Sequence, residues 1–179
     1  MAALRRRIAC AAVAWSAFAA CAAGGQSLPD MLRAEHPELS VAGDGAMRFI
    51  GFKVYDIRLW APGGKFRPDE PYALELVYAM NFKGADIASR SVDEMRGQGR
   101  GPEEKLQRWG ARMARIFPDV KPGDTLIGLL IPGVGARFYS RDRLIDTVAD
   151  PEFGAAFFDI WLSEKTSAPD VRKKLLERR

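Results

Sequence analysis

Residues 47–61 read MRFIGFKVYDIRLWA. This stretch is dense in Phe, Val, Ile, Tyr and Trp, the residue types that favour β-strands. Turn sequences border it, with Gly43-Asp44-Gly45 before it and Pro62-Gly63-Gly64 after it. The pattern therefore predicts extended structure from Met47 to Ala61, entered and left through turns.

The rest of the chain falls into blocks of strand and helix patterns. Apolar and polar residues alternate with period two from Tyr72 to Tyr78, which indicates a strand. Helices are predicted over 84–98, 102–117 and 151–162, strands over 124–131, 136–140 and 144–148, and a last helix after Ser167, its expected N-cap. This order favours an α+β fold, with helices gathered on one face of a mostly antiparallel sheet.

The N-terminus has the features of an export signal. Arg5, Arg6 and Arg7 precede an apolar stretch over residues 8–20, and Ala20-Cys21-Ala22 fits a signal peptidase site. Two alternatives stay open: Phe18-Ala19-Ala20-Cys21 resembles a lipobox, which would tether a lipidated Cys21 to a membrane, and the segment could be an uncleaved anchor. We predict a signal peptide over 1–22, a leader segment over 23–39, one domain over 40–179 and a periplasmic location.

Charge and cysteine content exclude several classes of function. The 179 residues include 27 Lys and Arg and 23 Asp and Glu, but three of the arginines lie in the predicted signal peptide. The remaining chain is nearly neutral, so no nucleic-acid partner is expected. Both cysteines, Cys10 and Cys21, also lie in that segment. The predicted mature chain therefore has no disulfide, no thiol nucleophile and no cysteine-ligated metal.

Common catalytic constellations are not predicted either. His36 is the only histidine and belongs to the predicted leader segment, which disfavours a histidine-ligated metal or a Ser-His-Asp triad. The glycines of Gly97-Gln98-Gly99-Arg100-Gly101 lie between two predicted helices, where a dinucleotide-binding loop is not expected. We therefore expect no metal and no cofactor, and we assign no catalytic residue.

A set of motifs in fixed order resembles the chalcone isomerase-like domain family, in its exported bacterial branch. It consists of Gly45-x-x-Arg48, Gly51-Phe52-Lys53-Val54-Tyr55, Leu59-Trp60, Ala73-Leu74-Glu75-Leu76, Ser91-Val92-Asp93-Glu94-Met95, Phe117-Pro118-x-Val120-Lys121-Pro122-Gly123-Asp124 and Phe157-Phe158-Asp159-Ile160-Trp161-Leu162. The resemblance covers roughly residues 40–178. It implies an open-faced β-sandwich, in which a large antiparallel sheet carries helices over one face.

The resemblance carries two expectations about function. Arg48 matches the arginine that stabilises the oxyanion in the plant enzymes, but the helix over 85–96 has neither the Tyr nor the Asn of their Tyr-x-x-Lys-x-x-x-Asn motif. That departure argues against chalcone cyclisation. Some relatives without activity bind fatty acids instead, and there an arginine and a tyrosine hold the carboxylate. Arg48 and Tyr55 match that pair by residue type.

Strand geometry bears on the pair formed by Arg48 and Tyr55. The two residues are seven positions apart, so a straight strand would turn them to opposite faces unless a bulge or bend at Gly51 restores one face. Our leading interpretation is a domain that binds a small apolar acid through Arg48 and Tyr55. The alternatives are an isomerase of the chalcone isomerase type with altered chemistry, and a structural partner of another cell-envelope protein.

Overall fold

The computed structural model describes residues 28–141 and 143–177, which form one six-stranded antiparallel sheet with helices on both faces. The strands are neighbours in chain order, β1 to β6, so every connection joins adjacent strands. The elements are α1 (Asp30–Glu35), β1 (Leu39–Phe49), β2 (Phe52–Pro62), β3 (Tyr72–Tyr78), α2 (Gly84–Gly97), α3 (Glu103–Ile116), β4 (Thr125–Ile131), β5 (Gly135–Ser140), β6 (Leu144–Val148), α4 (Pro151–Leu162) and α5 (Pro169–Leu176). The predicted α+β, chalcone isomerase-like architecture is confirmed.

The stretch that was predicted as one extended segment is a hairpin. Ile50 and Gly51 form the two-residue turn between β1 and β2, with φ values of 47° and 80°. Positive φ at both turn residues matches the twist of antiparallel strands, and Gly51 adopts it without steric cost. Ile50 is a β-branched residue that rarely adopts this conformation. The prediction missed the turn because Ile-Gly lacks the usual Asn-Gly or Asp-Gly chemistry.

Gly43 lies inside a strand, so the turn predicted at residues 43–45 is wrong. β1 runs straight through this region, with a register irregularity between Val41 and Gly43. A Cβ atom at Gly43 would lie 2.3 Å from the carbonyl oxygen of Leu175 in α5. The glycine is therefore needed for the close approach of a helix to the strand, a tertiary reason that local sequence does not reveal.

The alternation in β3 divides the sheet into two apolar faces. Leu74 and Leu76 join the main core beneath α2, α3, α4 and α5, whereas Ala73 belongs to a smaller cluster on the opposite face. That smaller cluster is covered by Leu28 and Leu32, at and just before α1. Part of the segment predicted as a leader thus packs against the back of the sheet.

Helix caps differ in part from the sequence prediction. α4 begins as predicted, because the Asp150 carboxylate accepts hydrogen bonds from the backbone N–H groups of Glu152 and Phe153, both at 3.0 Å. Ser167, expected to cap α5, does not do so. The N-cap is Ala168, and the Ser167 hydroxyl instead donates to Glu94 at 2.9 Å. That contact ties the start of α5 to α2.

The predicted signal peptide, including Cys10 and Cys21, lies outside the described residues. Within residues 28–141 and 143–177, none of the helices combines the length and the apolar character needed to cross a bilayer. Export, the processing route and the boundary at residue 22 therefore stay predictions.

Candidate ligand-binding site

A cavity of about 540 Å³ lies between the helix-covered face of the sheet and the helices α2 and α4. Its inner end is formed by buried residues, among them Leu74, Phe138 and Phe157. Its mouth is formed by exposed residues of the β1–β2 hairpin and of α2. The volume falls within the ~300–1,000 Å³ of small-molecule sites in proteins.

The walls are predominantly apolar. The aliphatic and aromatic lining residues are Met47, Phe49, Ile50, Phe52, Val54, Tyr55, Leu74, Leu76, Tyr78, Met80, Phe82, Ile87, Leu126, Phe138, Phe157, Ile160, Trp161 and Ala168. Gly128 also lines the inner end, and because a Cβ there would lie 3.0 Å from the ring of Phe158, the glycine permits the close approach of that ring. Such a lining suits a hydrocarbon chain or an aromatic ring.

Tyr55 is a half-buried polar residue in this wall. Its hydroxyl accepts a hydrogen bond from the indole Nε1 of Trp161 at 2.9 Å. Burial raises the pKa of Tyr55 to about 12, against the lowering effect of the Trp161 hydrogen bond. The hydroxyl therefore keeps its proton at neutral pH, and since Trp161 occupies an acceptor position, that proton is available to donate to a ligand.

Tyr78 is a second phenol in the same wall. Its ring meets the ring of Tyr55 edge to face, with 5.9 Å between centroids. Burial raises the pKa of Tyr78, and the neighbouring Tyr55 adds to the effect. Its hydroxyl makes no hydrogen bond to any described residue. Two protonated phenols thus lie side by side on one face of β2 and β3.

Arg48, the other predicted ligand-binding residue, does not line the cavity. It is exposed on β1, opposite Lys53, whereas Met47 pairs with Tyr55. With Ile50 and Gly51 in the turn, an unbroken ladder would put Arg48 and Tyr55 on the same face. The register instead shifts by one residue between Met47 and Arg48, which leaves Val54 without a partner in β1. The structure therefore does not bring Arg48 and Tyr55 together, and carboxylate binding by this pair stays a prediction.

Arg90 of α2 supplies a guanidinium group to the cavity wall. Its side chain is 69% exposed, and it forms an ion pair with Glu94, whose side chain is 12% exposed. Glu94 also accepts from Ser167. The charge of Glu94 raises the pKa of Tyr55 and the charge of Arg90 lowers it. Arg90 and Glu94 therefore lie at the same end of the cavity as Tyr55.

Sequence reasoning missed Arg90, Glu94 and Tyr78. Arg90 and Glu94 are four residues apart on the helical face that also carries Ile87 and Ser91, and this spacing was the available indication. The pattern of β3 did place Tyr78 on the same face as Leu74 and Leu76. It could not indicate that this face borders an open space.

Groups for other chemistry are limited in the described part of the chain. Within residues 28–141 and 143–177, no cluster of His, Cys, Asp and Glu could hold a metal ion. His36 is half-buried, and its Nδ1 lies 3.0 Å from the carboxylate of Glu38, away from the cavity. α2 carries neither Tyr nor Asn; Asn81, the single asparagine, precedes it.

Comparison with known proteins agrees with the fold. The structure is similar to the crystal structure of an Arabidopsis thaliana fatty-acid binding protein, with a TM-score of 0.59 and 11% sequence identity over 78% of this chain and 87% of that chain. A Haemophilus influenzae protein described as uncharacterized is 28% identical over 126 residues, which span 70% of this chain and 61% of that protein. The model of the chalcone isomerase-like family matches residues 20–177. The chain belongs to the chalcone isomerase-like family.

Proposed function

We propose that this protein binds a small apolar acid, similar to a fatty acid, in the sheet–helix cavity and does not convert it chemically. The observation that carries the proposal is the cavity of about 540 Å³, with its apolar inner end and the Tyr55 hydroxyl in its wall. The similar Arabidopsis protein is itself described as a fatty-acid binding protein, which supports the same class of ligand.

The apolar inner end supplies most of the affinity in this proposal. Burial of each methylene group contributes ~0.8 kcal/mol, so a chain of about ten methylenes contributes roughly 8 kcal/mol before the cost of association. Leu126 and Phe138 contact the chain from the sheet, and Phe157 contacts it from α4. The ligand enters tail first, because the charged residues lie toward the mouth.

The acid group binds at the polar end, near Tyr55. The Tyr55 hydroxyl donates to a carboxyl oxygen, and the adjacent Tyr78 hydroxyl offers a second donor. Arg90 supplies positive charge from the rim, where a ligand carboxylate competes with Glu94 for the guanidinium. The Trp161 indole keeps the Tyr55 hydroxyl oriented for donation.

A titration with cis-parinaric acid, a fluorescent fatty acid, tests the proposal. We expect the wild type to bind it and Tyr55→Phe to bind at least about tenfold more weakly, because one hydrogen bond to a charged group is lost. Tyr72→Phe is the matched control, since Tyr72 is a buried phenol of β3 that does not line the cavity. Absence of binding to the wild type, or equal affinities for wild type and Tyr55→Phe, would refute the proposal.

Two further variants identify the cation that contacts the acid. Arg90→Ala should weaken binding if the rim guanidinium pairs with the carboxylate. Arg48→Ala tests the pair predicted from sequence: a loss of tenfold or more places Arg48 at the ligand, and an unchanged affinity removes it from the site.

We further propose that the protein acts outside the cytoplasm. The support is the arginine cluster at residues 5–7, the apolar stretch over 8–20 and the small-residue site at 20–22. N-terminal sequencing of protein from the cell envelope should give a start at Ala23, or a lipid-modified Cys21. A cytoplasmic product that begins at Met1 would contradict export.

A further inference from the structure

The tip of the β1–β2 hairpin exposes an apolar surface at the mouth of the cavity. Phe49 is 65% exposed, Ile50 80% and Phe52 69%, the three highest values among the large apolar residues of the described chain. Met80, 41% exposed, lies at the same mouth. Concentration of exposed apolar side chains at one place marks an interaction surface rather than ordinary surface variation.

The backbone at the tip supports a functional reason for these residues. Ile50 adopts a φ of 47°, which is unfavourable for a β-branched residue, and its exposed side chain gains no packing in return. Asn at this position would suit the turn better and would be more soluble. An apolar residue that is both strained and exposed is more consistent with an interaction than with folding.

The charges around the tip favour an anionic partner. Arg48 and Lys53 face each other across the hairpin, one residue below Phe49 and Phe52, and both are exposed. Lys53 forms an ion pair with Asp56 at 2.8 Å, but residues 45–55 contain no acidic residue. Apolar side chains that project beyond two cationic residues match the layers of a bilayer with anionic headgroups.

We propose that this hairpin tip inserts into the surface of an anionic phospholipid bilayer, where the cavity mouth receives its apolar ligand directly from the membrane. Phe49, Ile50 and Phe52 line the mouth as well as the exposed tip, so insertion continues the apolar path from lipid to cavity. Arg48 and Lys53 then contact lipid phosphates. Transfer of the ligand rests on the proposed function, whereas insertion of the tip does not.

Depth-dependent fluorescence quenching tests insertion. The variant Phe49→Trp places a reporter at the tip, and vesicles of phosphatidylglycerol and phosphatidylethanolamine with brominated acyl chains quench a tryptophan that enters them. Val134→Trp is the matched control, because Val134 is an exposed apolar residue of the β4–β5 turn that does not line the cavity. All variants are made in the full chain, so that any membrane affinity of residues 1–27 is common to them.

We expect quenching of the reporter in Phe49→Trp and none of the reporter in Val134→Trp. Adding Ile50→Asn to Phe49→Trp should raise the lipid concentration for half-maximal quenching about tenfold, because an exposed isoleucine no longer enters the lipid. Neutral phosphatidylcholine vesicles should quench less than the anionic ones. Unquenched Phe49→Trp, or equal quenching of the control, overturns the proposal.

The outcomes also separate insertion from ligand binding. If the protein binds cis-parinaric acid in solution but its tip is not quenched, the function stands and membrane insertion is refuted. If the tip is quenched but no fatty acid binds, insertion stands and ligand transfer is refuted. If the tip is unquenched and the protein forms a dimer that Ile50→Asn disrupts, the surface is an interface between two copies and the membrane proposal is wrong.

Discussion

Replacement of Tyr55 by Phe removes one hydroxyl group from the cavity wall and keeps the ring. In the wild type this hydroxyl is the acceptor for the Trp161 indole, with 2.9 Å between the oxygen and Nε1. The variant leaves the indole N–H in a largely apolar setting without a protein acceptor. We therefore expect Tyr55→Phe to lower the free energy of unfolding at pH 7 by ~1–3 kcal/mol.

Alkaline pH should reduce this difference. The pKa of Tyr55 is about 12 in the folded protein, against an ordinary value near 10. Because the pKa is higher in the folded than in the unfolded state, the neutral phenol makes its full contribution to stability below pH 10. That contribution is lost as the pH rises toward 12. By pH 11 the titration of Tyr55 has lowered the free energy of unfolding of the wild type by ~1.4 kcal/mol. Tyr55→Phe has no hydroxyl to titrate at this position and does not lose this stability. The deficit of the variant should shrink by that amount.

Urea denaturation at pH 7, 9 and 11, followed by circular dichroism, measures both effects. Tyr72→Phe is the control, because burial also raises the pKa of Tyr72 while its hydroxyl makes no hydrogen bond to a described residue. At pH 7, Tyr72→Phe should lose less free energy of unfolding than Tyr55→Phe. At pH 11, both variants should have gained a similar amount of free energy of unfolding relative to the wild type. A deficit of Tyr55→Phe that stays constant from pH 7 to 11 would refute the argument that burial keeps this phenol neutral.

Two other positions give stability predictions. Asp150→Ala should lower the free energy of unfolding by ~2–3 kcal/mol, because it removes the N-cap of α4 and the acceptor of the Trp109 indole at 2.9 Å. Asp150→Asn should retain part of this stability in the same denaturation assay. Gly43→Ala should lower the melting temperature by about 3–10 °C, because its methyl group would overlap the carbonyl oxygen of Leu175. Gly45→Ala is its control and should change the melting temperature little, since the nearest atom lies at 3.4 Å.

Much of the architecture was predictable because it depends on local pattern. The alternation in β3, the turn residues around β4 and β5, and the start of α4 at Pro151 each depend on a few neighbouring residues. Gly43 shows the opposite case: the local sequence predicts a turn there, but the glycine serves a contact with α5, 132 positions along the chain. Contacts of that kind have no local pattern.

The site was harder to predict than the fold because it depends on register and on empty space. The relative orientation of Arg48 and Tyr55 is decided by a single unpaired residue, Val54, which nothing in the sequence marks as a bulge. The cavity exists because residues such as Phe138 and Phe157 stop short of filling the space between sheet and helices. The same composition could have produced a closed core.

Mass spectrometry of the small molecules that co-purify with the protein tests whether the cavity binds an apolar acid. Ile87→Trp is the variant to compare with the wild type, because the half-buried Ile87 lines the cavity and a larger ring there would occupy ligand space. We predict that the wild type carries one equivalent of a long-chain acid and that Ile87→Trp carries less than roughly a tenth of that amount. The circular dichroism spectra of the two proteins should be the same, which shows that the variant is folded. No acid with the wild type, or the same amount with both proteins, would show that the cavity does not bind such an acid.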